Sequence, residues 1–235
     1  MQLTEEQKLI QDMAKNFAQQ QIKPYASEWD QKSIFPAQVL SQMGQLGFMG
    51  MLIPEQWGGS DTGTLAYVLV LEEIAAADGA TSAIMSVHNS VGCVPILRFG
   101  TEQQKQQFLM PLAQGKMIGA FALTESHTGS DAAAIKTRAV KVGEHYILNG
   151  SKQFITSGHN AGMIIVFAVT DATAGKKGIS AFLVPRDTPG YEVIRIEEKL
   201  GLHASDTCQI ALTDIRIHQS LRLGAEGDGL KIALS

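Results

Sequence analysis

The stretch Phe121-Ala-Leu-Thr-Glu-Ser-His-Thr-Gly-Ser-Asp131 has the densest supply of reactive side chains in the sequence. An apolar run there enters a segment rich in hydroxyls with one glycine, then the small residues Ala132 to Ala134. Free backbone N–H groups at a strand end, with Thr124 and Ser130 beside them, suit a polar planar ring and a phosphate. An ordinary β-turn explains the same residues and, on chemistry alone, is the commoner explanation. Ser126, His127, Ser130 and Asp131 also raise the question of a hydrolase. Catalytic triads are assembled from distant positions, however, and no Gly-x-Ser-x-Gly elbow is present. Two other candidates stand apart. Phe154-Ile155-Thr156, on its residue types alone, reads as the core of a strand. His88-Asn89 interrupts an otherwise apolar helical stretch, where a satisfied polar pair of the core is commoner than a ligand site.

The elements that must position these residues follow from the period of the hydrophobic pattern, which changes once, near residue 115. Thr4 with Gln7, and Thr101 with Gln104, have the spacing of capping boxes. Ile10, Met13, Ala14 and Phe17 share one helical face. Pro36 opens a helix that Gly47 stops. Helices are predicted over 65–77, over 80–99 and from 101 to near Gly115, the second apolar all round and hence buried. After Gly115 the period is two. Strands are predicted at 137–142, 145–148, 163–170, 179–185, 191–196 and 207–212, with Gly143-Glu144 as a hairpin turn. The expected architecture is therefore an α+β chain, an all-α domain over 1–115 followed by an antiparallel β-barrel domain over 116–218. Residues 219–235 read as the start of a further helical unit.

Composition narrows the function. With 235 residues, 45% hydrophobic and 18% charged, the chain can bury sizeable cores and is not a disordered segment. The formal net charge is −4 and no Lys/Arg block exists, which argues against a nucleic-acid partner. No apolar run is read as long enough to span a bilayer. Cys93 and Cys208, without metal-ligand spacing around them, are expected to be buried free thiols, and no metal is expected. The N-terminus is polar at once, without a signal's apolar region, so a cytoplasmic protein is expected.

Ala122-Leu-Thr-Glu-x-x-x-Gly-Ser-Asp131, with Ala134 shortly after, is similar to the signature of the acyl-CoA dehydrogenase family. Asn149-Gly-Ser-Lys152, taken as a turn, and Phe154-Ile-Thr156 resemble its next segment. Gly178-Ile-Ser-Ala-Phe-Leu-Val184 and Glu198-Lys-Leu-Gly-Leu-His-Ala-Ser-Asp-Thr207 follow in the family's order. The resemblance covers essentially the whole chain and is closest to the short-chain branch. Two departures are Ser126-His127-Thr128, where the family has Pro-Gly-Ala or Pro-Gly-Asn, and His203, where Arg is common.

The resemblance implies FAD as cofactor, with Phe121, Ala122, Leu123, Thr124, Glu125, Ser126, His127, Thr128, Gly129 and Ser130 forming one wall of its site. Leu123 and Thr124 would face the pyrimidine edge, Phe154 would stack on the ring with Ile155 beside it, and Thr156 would bond near N5, which fixes redox poise. Ser130 would also lie near CoA, and Ile84, Val87, His88 and Val91 would floor the acyl pocket. The reaction implied is α,β-dehydrogenation of an acyl-CoA thioester, a carboxylate taking the α-proton as hydride passes to the flavin. That base is expected beyond Ser235, with Glu125 structural, so no catalytic residue is expected within this chain and the chain alone is expected to be inactive. Electron-transfer flavoprotein as acceptor and a homotetramer are implied for the full-length form. Two alternatives stay open: a flavin- or acyl-CoA-binding protein without turnover, and another member of the superfamily such as a flavin oxidase, monooxygenase or desulfinase.

Overall fold

Both capping boxes form: Thr4 Oγ1 accepts the Gln7 N–H at 3.2 Å, and Thr101 Oγ1 accepts the Gln104 N–H at the same distance. In the computed structural model, which describes residues 2–235, helices span 5–32, Ala37–Gln45, Gly63–Ala77, Gly79–Phe99 and 102–113. Three of them carry a wide i→i+5 turn, at Ala18–Ile22, His88–Cys93 and Lys105–Leu109. Each wide turn is followed, two residues after its end, by a proline: Pro24, Pro95 and Pro111. A proline inside a helix has no N–H to donate, and its ring collides with the carbonyl four residues back. In all three cases that carbonyl lies within the wide turn, which opens enough for the helix to continue.

The second half is one eight-stranded sheet. Its strands are β1 Gly119–Ala122, β2 Arg138–Val142, β3 His145–Thr156, β4 Met163–Val169, β5 Ile179–Pro185, β6 Tyr191–Ile196, β7 Thr207–His218 and β8 Arg222–Leu223. The expected antiparallel barrel is corrected here: the sheet is mixed and open. Its order is β6-β7-β3-β2-β4-β5-β8, and β1 pairs with β4 in parallel, Gly119 opposite Met163 through Ala122 opposite Val166. β2 also meets β4 in parallel, at Arg138 opposite Val169. Alternation of apolar and polar residues fixes the period of a strand but carries no sign for its direction, so the sequence pattern could not show this.

A second correction concerns Asn149-Gly150, which is not a turn but lies inside the continuous strand β3. The β3–β7 register slips between Leu148 and Gly150, a bulge in which Asn149 and Asp214 bond to each other twice. Asn149 Nδ2 donates to Asp214 Oδ1 and the Asp214 N–H donates to Asn149 Oδ1, both at 2.9 Å. Gly150 passes so close to Thr137 that no Cβ would fit.

The two halves share a core. Along β4, Ile164, Val166 and Ala168 face the inner core of the curled sheet with Tyr146, Phe182 and Ile210. The alternate residues Met163, Ile165 and Phe167 pack instead on Cys93, Ile96, Leu109 and Leu112 of the helices. A strand covered on both faces reads as a continuous apolar run, which Met163 to Val169 is. Against the reading above, the helix Gly79–Phe99 does have the length and apolar composition of a bilayer span. It is an inner helix of the fold, with His88 and Asn89 wholly buried. Asn89 accepts the Met51 N–H at 3.0 Å and donates to Phe48 O at 2.9 Å and Met85 O at 3.1 Å. The final helix, Gly229–Ala233, docks on the shared core through Ile232.

Candidate functional site

Two segments meet at one corner of the sheet, the loop that leaves β1 and the last residues of β3. Glu125 and Thr128 exchange backbone hydrogen bonds at 3.1 Å in both directions, so Ser126 and His127 form an exposed two-residue tip. The Gln153 N–H donates to Thr124 O at 2.9 Å, and Lys152 Nζ donates to Leu123 O at 3.0 Å. These bonds lay residues 123–125 directly against 152–154. Between Lys152 and Ile155 the β3–β7 register slips again, and Phe154 takes φ +60°. That backbone conformation is costly for a bulky residue. Its ring is 59% exposed, so packing in the core does not account for the strain.

The corner is held by a buried ion pair. Lys152 Nζ lies 2.8 Å from Glu125 Oε1, and both side chains are almost wholly buried. Glu125 also accepts the Thr137 N–H at 3.0 Å and the Lys136 N–H at 2.7 Å, while the His127 ring stands 3.7 Å away. Burial alone would raise the Glu125 pKa, but the Lys152 charge and the hydrogen bonds from Lys152, Thr137 and Lys136 outweigh it, and the carboxyl is held below its usual range. For Lys152 burial wins and lowers the ammonium to about 8, with Glu125 limiting the fall. Both Glu125 oxygens are thus taken up, one by Lys152 and the Thr137 N–H and the other by the Lys136 N–H. Lys152 escapes the sequence reading because residues 149–152 read as a turn, whereas β3 runs through them and buries this side chain, where a lysine needs a partner.

The remaining sequence candidates divide by burial. Ser126, His127, Gly129, Ser130 and Phe154 are exposed, while Phe121, Leu123, Thr124 and Thr156 are half-buried. Phe121 packs on Phe167 with centroids 4.7 Å apart. Ala122 and Ile155 turn into the inner core, and Thr128 is buried in the tip. A Cβ built on Gly129 meets nothing within 4 Å, so the fold itself does not require glycine there. In the helix Gly79–Phe99, Val87 and Val91 are half-exposed, but Ile84 lies in the helical core. His88 accepts the Gly119 N–H on Nδ1 at 3.1 Å and donates from Nε2 to Leu112 O at 3.0 Å, with its pKa lowered to about 4 by burial. It is a neutral tie between helix and sheet with no ring nitrogen left for a ligand. Cys93 and Cys208 are free and buried.

A second tie joins the halves at the surface. The Asp30 carboxylate accepts the His203 N–H at 2.8 Å and faces its Nδ1 at 3.0 Å, while His203 Nε2 lies 2.6 Å from Lys199 O. The Asp30 hydrogen bond raises the His203 pKa. Since the folded value exceeds the unfolded one, about 6.5, the stability from this tie is complete below that pH and is lost as pH rises through the folded value. We expect Asp30→Asn to flatten this part of the pH profile of thermal unfolding between pH 6 and 9. A variant profile parallel to the wild type over that range would refute the assignment.

Residues 4–116 match the N-terminal domain of acyl-CoA dehydrogenases, and residues 120–215 match their middle domain. The chain belongs to the acyl-CoA dehydrogenase family. Members of this family are oxidoreductases that use FAD. An acyl-CoA dehydrogenase of Bacillus subtilis is 43% identical over 100% of this chain and 62% of its own length. A short-chain specific acyl-CoA dehydrogenase of Clostridium acetobutylicum is 41% identical over 99% of this chain and 61% of its own. The solved butyryl-CoA dehydrogenase of Megasphaera elsdenii superimposes with a TM-score of 0.95 at 38% identity, over 100% of this chain and 62% of that one. The chain thus spans about three-fifths of the length of these acyl-CoA dehydrogenases.

Proposed function

We propose that this chain forms the flavin seat and part of the acyl-CoA site of a short-chain acyl-CoA dehydrogenase. The observation that carries the reading is Phe154, an exposed aromatic ring held at positive φ beside the 123–130 loop. A planar cofactor explains both the strain and the exposure. The open side of Gly129 and the exposed Ser126 and Ser130 hydroxyls fit the polar remainder of FAD. Bound FAD supplies the two-electron acceptor for α,β-dehydrogenation of an acyl-CoA thioester. The residues of this chain would seat the ring, with Phe154 against one face, Leu123 and Thr124 at the pyrimidine edge and Thr156 near N5. Ser130 lies toward CoA, and the half-exposed Val87 and Val91 limit the acyl chain.

The α-proton needs a free carboxylate in a water-poor cleft. The buried acids Glu125 and Asp206 are both committed, and the nearly buried Glu197 pairs through one oxygen with Arg195 while the other has no partner. Asp206 accepts the His159 N–H and Asn160 Nδ2, both at 2.8 Å. As the family resemblance implies, the base then comes from sequence corresponding to the two-fifths of the relatives that this chain does not match. The same reading takes electron-transfer flavoprotein as acceptor, a homotetramer as the assembled form and the cytoplasm as compartment. The exposed Leu9, Met13 and Val68 favour further assembly, and two buried free thiols fit a reducing milieu.

The test is turnover of butyryl-CoA and octanoyl-CoA with an artificial electron acceptor. The 235-residue chain alone should show none, and a form extended by the segment the relatives carry should oxidise butyryl-CoA preferentially. Turnover by the 235-residue chain would place the base inside it and overturn the assignment.

A further inference from the structure

We propose that the buried Lys152–Glu125 pair is the positioning device of the flavin seat, clamping the 123–125 turn to the bulge that presents Phe154. The inference rests on the flavin-binding reading above and adds residues that touch no ligand themselves. One carboxylate joins three segments, the turn it belongs to, the backbone at 136–137 and the ammonium of β3. Lys152 Nζ then reaches back to Leu123 O, one residue from the point where Gln153 bonds Thr124. A buried ion pair adds little net stability of its own, because desolvation offsets most of the attraction. What the charged pair adds is direction: it fixes the turn's carbonyls relative to Phe154, across a stretch where the β3–β7 ladder is interrupted. A seat displaced by a fraction of an ångström loses the alignment on which binding and reaction depend.

The experiment separates positioning from stability. Lys152→Met alone leaves Glu125 buried and uncompensated, so its melting temperature should fall. Glu125→Gln with Lys152→Met removes both charges and keeps one acceptor oxygen where the Lys136 and Thr137 N–H groups bond to two, and should recover part of that loss. The double variant should still bind FAD about tenfold or more weakly, with an altered visible circular dichroism of the bound flavin. In the extended form that turns over, the same double substitution should lower kcat at saturating FAD while the acyl-CoA KM stays within about threefold. Lys152→Arg keeps the charges, changes only the geometry, and should also weaken FAD binding at near-constant melting temperature. FAD affinity and flavin dichroism equal to wild type in either the double variant or the arginine variant would overturn the inference while leaving the flavin reading intact. A wild-type protein that binds no FAD would overturn both.

Discussion

Phe154→Gly is expected to weaken FAD binding strongly while leaving the stability of the fold almost unchanged. The ring is mostly exposed and its backbone sits at φ +60°. Side chains in that region cost about 1–2 kcal/mol, which glycine avoids. Glycine gives back roughly 0.5–1 kcal/mol through the entropy of the unfolded chain, so the net change stays within about 1 kcal/mol. Stacking of a planar heteroaromatic on an aromatic side chain contributes about 1–3 kcal/mol, so FAD affinity should drop roughly 5- to 150-fold. Fluorescence titration with FAD and a thermal melt of the same sample decide the matter. Undiminished affinity would remove Phe154 from the site, and a loss of several kcal/mol of stability would make it a core residue.

The second large effect concerns the shared core. Phe167→Ala should destabilise the protein by about 3–5 kcal/mol, the range for deleting a fully buried aromatic ring. Phe167 sits on the face of β4 that packs on the helices and meets Phe121 at the entrance to the candidate site. Because that core belongs to both halves, they should melt together in the variant, in one transition shifted to lower temperature. Two separated transitions, with only the sheet half moved, would show that the halves fold independently.

Much of this fold was legible because local chemistry decided it. Thr4–Gln7 and Thr101–Gln104 mark helix starts, Gly47 marks an end, and β5 and β6 have the limits their apolar runs predict. What escaped was whatever depends on a partner distant in sequence. The parallel pairing of β1 with β4 and the bulges within β3 are properties of pairs of segments. The wide turns before Pro24, Pro95 and Pro111 were local, but a period of 3.6 residues has no place for an inserted one. At the site, the turn after β1 and the Phe154 segment were visible as candidates, and the fold brings them together. Residue chemistry alone left the first as a possible β-turn and the second as a possible strand core. Only the exposure and positive φ of Phe154 decide against the latter, and neither can be read from residue types.

The bulge at Asn149 also bears on how the molecule ages. An asparagine followed by glycine is the pair most prone to spontaneous deamidation, because the unhindered glycine nitrogen attacks the side-chain carbonyl. Here that carbonyl is held by the Asp214 N–H, the amide nitrogen is held by the Asp214 carboxylate, and the surrounding strand is paired on both sides. The native state thus protects its own weakest covalent position, and the protection ends on unfolding. A chain that has been deamidated while unfolded carries aspartate or isoaspartate at this position, which has lost the amide donor to Asp214 and sets a like charge beside its carboxylate. The damage, once made, opposes refolding of the strand that shielded the site.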